Sequence, residues 1–136
     1  MEELIILLCN FGYTKEESKE VLNTYPLNTY KPETLKKKIE EMNMYMEKLG
    51  YSKEEVIKMT KSMPVIYGLS IDNIKQKIED IEKLGYSKEE VIKMTKSLPS
   101  IYGYSIDNIK QKIEDIEKLG YSKEEVIKMT KSLPAI

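Results

Sequence analysis

Two stretches of this chain are nearly the same sequence written twice. Leu49 to Lys83 reads LGYSKEEVIKMTKSMPVIYGLSIDNIKQKIEDIEK, and Leu84 to Lys118 repeats it with changes only at Met63/Leu98, Val65/Ser100 and Leu69/Tyr104, a period of 35 residues. A third copy starts at Leu119 and reaches Ile136, about halfway through its unit. A diverged copy comes before them: Phe11-Gly12-Tyr13-Thr14 matches Leu49-Gly50-Tyr51-Ser52, and Tyr25-Pro26 matches Met63-Pro64. A period of this length is one supersecondary unit that cannot bury its apolar face alone, so successive copies must stack on one another. Near-identity means recent duplication or consensus design, and either leaves little room for one position to acquire a role of its own. The organisation is a single helical-repeat domain over 1–136. It comprises an N-terminal capping helix (1–10), a diverged repeat (11–48), two full repeats (49–83 and 84–118) and a half repeat (119–136).

Local signals divide each unit into two helices. Ser87-Lys88-Glu89-Glu90 is a capping box, in which the serine hydroxyl accepts from a first-turn amide and the glutamate reaches back to the cap amide, so a helix starts at Lys88. Val91, Ile92 and Thr95, with Leu98 beyond, give it an apolar face. Pro99 stops it, because the residue before a proline is pushed out of the helical region. Ser100 to Gly103 form a turn, read as one 3-10 turn, before Ser105 caps a second helix whose apolar stripe is Ile106, Ile109, Ile113 and Ile116. Gly120 ends that helix, since glycine accepts the left-handed conformation just past a helix C-terminus. The fold class is all-α, an α-solenoid of tandem helix-turn-helix repeats. In the diverged copy, 23 positions separate Pro26 from Leu49, against 20 between Pro64 and Leu84. Aligning Leu35–Ile39 with Ile74–Ile78 puts four extra residues after Ile39, about one helical turn. The helix carrying Ile39, Met42 and Met46 should therefore be one turn longer than its counterparts.

The phased order Pro64, Ile66, Gly68, Ser70, Ile74, Lys77, Ile78 and Ile81, followed by Leu84-Gly85-Tyr86-Ser87, resembles the repeat of mitochondrial transcription termination factor (mTERF) proteins. The resemblance covers nearly the whole chain from Phe11 onward. It implies a curved array with two α-helices and a 3-10 turn per repeat, and it implies nucleic-acid binding in a basic groove, double-stranded DNA or RNA, in gene expression. Pentatricopeptide repeats share the period but do not place a proline between their helices. TAL-effector-like repeats are close in length, but their Gly-rich base-reading loop is absent here.

Composition excludes most chemistry. There is no histidine, no tryptophan and no arginine, and Cys9 is the only cysteine, so imidazole triads, imidazole-based zinc sites and an internal disulfide cannot be assembled. No phosphate-binding glycine pattern occurs. Glu89-Glu90 and Glu114-Asp115 point about 100° apart on a helix and read as structural. The chain is expected to be no enzyme, with no cofactor and no metal. The apolar run Leu4 to Cys9 is far shorter than the roughly 20 residues of a membrane span and follows Glu2 and Glu3 rather than a basic region, so no membrane role is expected. Cys9 reads as a small buried hydrophobe, and a reducing cytoplasm follows. The Lys, Ile, Asn and Tyr usage suggests an AT-rich, bacterial genome.

The lysines carry the candidate site. Net charge is −1, so nothing attracts a polyanion globally. Glu89 to Lys93 and Glu114 to Lys118 are i,i+4 pairs in the favourable orientation, which gives part of the pattern a helix-stabilising reading. A solenoid nevertheless turns one lysine into a row: Lys58, Lys93 and Lys128 form one expected row, Lys61, Lys96 and Lys131 another, and Lys75 and Lys110 begin the following helices. These eight lysines are the expected phosphate contacts. Tyr67, Tyr102 and Tyr104 lie in the inter-helix turn, where packing over the next repeat is the main reading and base or ligand stacking the other. A protein-protein scaffold, or a fragment of a longer or designed array without discrete activity, stands as the alternative function. Because Leu133 to Ile136 follow a first helix with no second helix after it, self-association through the uncapped half repeat is also expected.

Overall fold

The computed structural model describes residues 2–129. Eight α-helices and three 3-10 turns, with no strand, make up the described residues. The helices are α1 (Glu2–Phe11), α2 (Lys15–Leu22), α3 (Pro32–Lys48), α4 (Lys53–Ser62), α5 (Ile71–Glu82), α6 (Lys88–Ser97), α7 (Ile106–Lys118) and α8 (Lys123–Lys128). The 3-10 turns are Leu27–Thr29, Pro64–Gly68 and Pro99–Gly103, each leading from the first to the second helix of a repeat. The chain divides into two compact units, Met1–Ile71 and Asp72–Ile136.

The start and stop signals act as the sequence requires. Ser87 Oγ accepts from the Glu90 amide at 3.1 Å while Glu90 Oε1 accepts from the Ser87 amide at 2.7 Å. The same reciprocal pair closes at Thr14/Glu17, Ser52/Glu55 and Ser122/Glu125. Each such cap is worth about 1 kcal/mol, which matters for helices only ten residues long. Leu98, ahead of Pro99, sits at φ −138°, ψ 82°, outside the helical region, and α6 ends one residue earlier. Ser105 caps α7 through the Asn108 amide at 3.2 Å. The diverged repeat lacks a capping side chain before α3 and starts it instead with Pro32 in the first turn, where its missing N–H is no loss.

In the first unit, α2 packs against α4 and α1 against α3, so first helices stack on first helices and second helices on second helices. The turns Leu27–Thr29 and Pro64–Gly68 also stack on each other. In the second unit, α8 packs against both α6 and α7, and the turn Pro99–Gly103 packs against α6. The stripe residues Ile109, Ile113 and Ile116 are buried, as are Ile74, Ile78 and Ile81. Each such isoleucine stabilises by about 1.5–3 kcal/mol. Ile106, expected on the same stripe, is only half-buried at the first turn of α7. Met94, which the sequence reading left off the apolar face of α6, is fully buried beside Val91 and Thr95.

The longer helix is present. α3 runs unbroken for 17 residues against 12 for α5 and 13 for α7, with Ile39, Met42 and Met46 all buried along it. The expected C-terminal face, Leu133 to Ile136, lies outside the described residues. Cys9 is half-buried rather than fully buried, with its Sγ 3.7 Å from Ser18 Oγ.

Candidate functional site

The eight candidate lysines separate by environment. Lys58 on α4, Lys93 on α6, Lys110 on α7 and Lys128 on α8 are exposed, and Lys75 is exposed on α5. Lys96 is half-buried on α6. Lys61 pairs with Glu17 of the preceding repeat, where its ammonium is the main cause holding the Glu17 carboxyl below the usual carboxylate range. Lys131 lies outside the described residues. In the second unit Lys93 and Lys128 stand at equivalent positions of two first helices that pack together. Lys110 stands on α7, the second helix of its repeat, which packs against α8.

Several lysines that look alike in sequence are structural. Lys77 reaches from α5 to the carbonyls of Tyr102, at 3.2 Å, and Tyr104, so it caps the end of the third 3-10 turn. Lys123, the first residue of α8, donates to the Leu84 carbonyl at 2.9 Å and lies 5.0 Å from the centre of the Tyr86 ring. Lys53, its counterpart in α4, lies 5.8 Å from the centre of the Phe11 ring. In both cases the first lysine of one repeat covers the Leu-Gly-Tyr corner, or its Phe-Gly-Tyr variant, of an earlier one. The sequence reading missed this role. The signal was available, since a lysine recurs directly after the cap in every copy.

The expected i,i+4 ion pairs do not form. Among the described residues neither Glu89–Lys93 nor Glu114–Lys118 closes to ion-pair distance, and on α7 the side-chain pair is instead Gln111 donating to Asp115 at 2.8 Å. Water competes well for such exposed charges, and holding two long side chains together costs entropy.

The turn tyrosines are core. Tyr67 and Tyr102 are fully buried, leaving neither ring a face for a base, and Tyr104 is half-buried. In the first unit Tyr67 belongs to a chain of buried hydroxyls. Tyr67 donates to Asn43 Oδ1 at 2.8 Å, and its oxygen lies 2.9 Å from that of Tyr13, which in turn meets Thr60 Oγ1. Because a carbonyl oxygen only accepts, the Tyr67 proton goes to Asn43 and Tyr13 donates to Tyr67, while Thr60 spends its own proton on the Val56 carbonyl at 2.8 Å. Burial is the main cause pushing both phenols above the usual tyrosine range.

Among the described residues no group of His, Cys, Asp or Glu is placed to hold a metal ion. No helix is long and apolar enough to cross a membrane among the described residues. A family model described as mTERF matches residues 1–136. No curated protein matches the chain as a recognisable relative.

Proposed function

The chain belongs to the mTERF family of helical-repeat proteins, and from that premise we propose that it binds nucleic acid without catalysing a reaction, holding phosphates with lysines of its first helices. The observation that carries the reading is one repeat position occupied three times: Lys58, Lys93 and Lys128 are all exposed, and among the described residues none closes an ion pair, Lys128 only helping to lower the Glu125 carboxyl from a distance. Packed helices such as α6 and α8 of the second unit lie roughly 8–10 Å apart, while phosphates on one strand recur about every 3.4 Å, so Lys93 and Lys128 suit phosphates about three apart. Lysine, a hydrated point charge without the planar fork of arginine, suits backbone contacts better than base reading. Lys61 contributes less, because Glu17 already occupies it.

Binding is therefore expected to be weak, salt-sensitive and largely independent of sequence. Changing Lys58, Lys93 and Lys128 together to glutamine should weaken binding to duplex DNA and flatten the dependence of log K on log salt by up to about 2.7, at roughly 0.9 per lost phosphate contact. A triple variant whose salt slope equals that of the parent would overturn the reading.

A further inference from the structure

The diverged repeat breaks the pattern of its own copies at one place on the surface. Counting back from the aligned pairs Phe11-Gly12, Leu49-Gly50, Leu84-Gly85 and Leu119-Gly120, Ile6 and Met44 share a position with Glu79 and Glu114, and Leu7 and Tyr45 share one with Asp80 and Asp115. Where the full repeats present carboxylates, the first unit presents apolar side chains. Ile6 and Met44 are each 59% exposed, although the same helices have buried stripes of their own, Leu4 and Leu8 on α1 and Leu35, Ile39, Met42 and Met46 on α3. Isolated apolar residues on a surface are ordinary, but Leu7 and Met44 line one cleft between two packed helices and so form a patch.

The patch has a shape. α1 and α3 pack side by side and run in the same direction. A cleft between them opens near Glu3, Leu4 and Pro32 at their N-terminal ends, and another near Leu7, Phe11, Met44 and Lys53 at their C-terminal ends. Glu40 lines both, and the two lie in line as a groove along α1, a helix of ten residues or about 15 Å; in the first, Lys36 pairs with Glu3 at 3.0 Å and Lys37 with Glu41 at 3.9 Å, which leaves Glu40 and Glu47 as carboxylates outside those pairs. Its charges are ordered. Glu40 and Glu47, seven residues and therefore about 10.5 Å apart, stand on the α3 bank on either side of Met44, and Lys53 stands at the C-terminal end.

We propose that this groove binds an amphipathic, basic α-helix of a partner protein, about three turns long. Apolar residues of that helix fill the floor over Leu7, Phe11 and Met44. Two cations seven residues apart face Glu40 and Glu47, and its C-terminal, negative end lies toward Lys53. The acidic bank is what selects this occupant. It repels an anionic lipid surface and a nucleic-acid strand, and a second copy would bring its own Glu2, Glu3, Glu40 and Glu47 against the same bank. The inference is independent of the nucleic-acid reading, since it uses neither the same residues nor the same charge.

The test uses the full chain and a synthetic helical peptide with leucines at i, i+3 and i+4 and lysines seven apart, beside an otherwise identical peptide carrying glutamates for lysines. Binding is read by fluorescence anisotropy in the absence of nucleic acid. The lysine peptide should bind, and the glutamate peptide should bind at least about tenfold more weakly, equivalent to about 1.4 kcal/mol. Leu7→Asp with Met44→Glu should abolish binding. Leu7 is half-buried and Met44 exposed, and the full repeats carry Asp80 and Asp115, and Glu79 and Glu114, at these two positions, so the variant is expected to fold, with helical circular dichroism as the check. Two results would overturn the proposal: equal affinity for the two peptides, or lysine-peptide binding that survives the double substitution. A third would be a parent dimer, seen by sedimentation, that the double substitution converts to monomer; the occupant would then be a second copy.

Discussion

Tyr67 shows how much one hydroxyl can be asked to hold. It sits at the middle of the run from Thr60 through Tyr13 to Asn43, with every member buried. Removing it leaves Asn43 Oδ1 buried without its donor, while Tyr13 keeps Thr60 Oγ1 as an acceptor. Tyr67→Phe should therefore destabilise the protein by about 1–3 kcal/mol, the cost of leaving a buried polar group unpaired. Counted back from the Leu-Gly corner rather than forward from Leu35, Asn43 stands where the full repeats carry Ile78 and Ile113, so Asn43→Ile installs a residue the fold already accepts at that distance from the corner. Combined with Tyr67→Phe, it should cost less than the sum of the two single changes, since the phenylalanine then faces an apolar partner. Urea unfolding of the four proteins measures the coupling, and strict additivity would mean that hydroxyl and amide act independently.

The corner from a second helix to the next first helix is the element that sets the stack. Gly85 and Gly120 both end second helices at positive φ, 103° and 96°, where a side chain strains the backbone by about 1–2 kcal/mol. Their surroundings differ. A Cβ at Gly85 would land on the Lys123 ammonium, whereas at Gly120 nothing among the described residues lies within 4 Å. Gly120→Ala should therefore cost the backbone strain alone. Gly85→Ala should cost more, by up to about 1.5–3 kcal/mol, because Lys123 must release the Leu84 carbonyl. Thermal unfolding of the two variants gives the difference. Equal losses would show that the lysine contributes nothing at the corner.

At the scale of the molecule the repeats are nearly interchangeable, and in such arrays stability is approximately a sum of repeat and neighbour terms. Inserting a further copy of residues 84–118 after Lys118 adds 35 residues with their stacking face. At about 0.05–0.15 kcal/mol per residue, this should raise the unfolding free energy by about 2–5 kcal/mol. The urea m-value should rise with it, as more surface is exposed on unfolding. An unchanged midpoint together with an unchanged m-value would mean that the inserted copy does not stack.

What the sequence determined by itself was whatever depends on neighbours three or four residues away. The four capping boxes, the proline stops, the glycine ends, the isoleucine stripes and the extra turn of α3 are of this kind. Each is a local hydrogen bond, a steric limit or a helical period, complete within one repeat. The side chains whose partners lie far along the chain were decided only by tertiary structure. Lys77 meets a turn 25 residues on, Lys123 a carbonyl 39 residues back, and Tyr13 a phenol 54 residues away. Lysines at repeated positions carry the same local information, so nothing within one repeat separates Lys88, which is exposed, from Lys123, which is tied to a corner. The apolar residues at Leu7 and Met44, where the full repeats carry carboxylates, were readable by alignment, but their place on one groove was not. That depended on α1 packing beside α3, which no local pattern encodes.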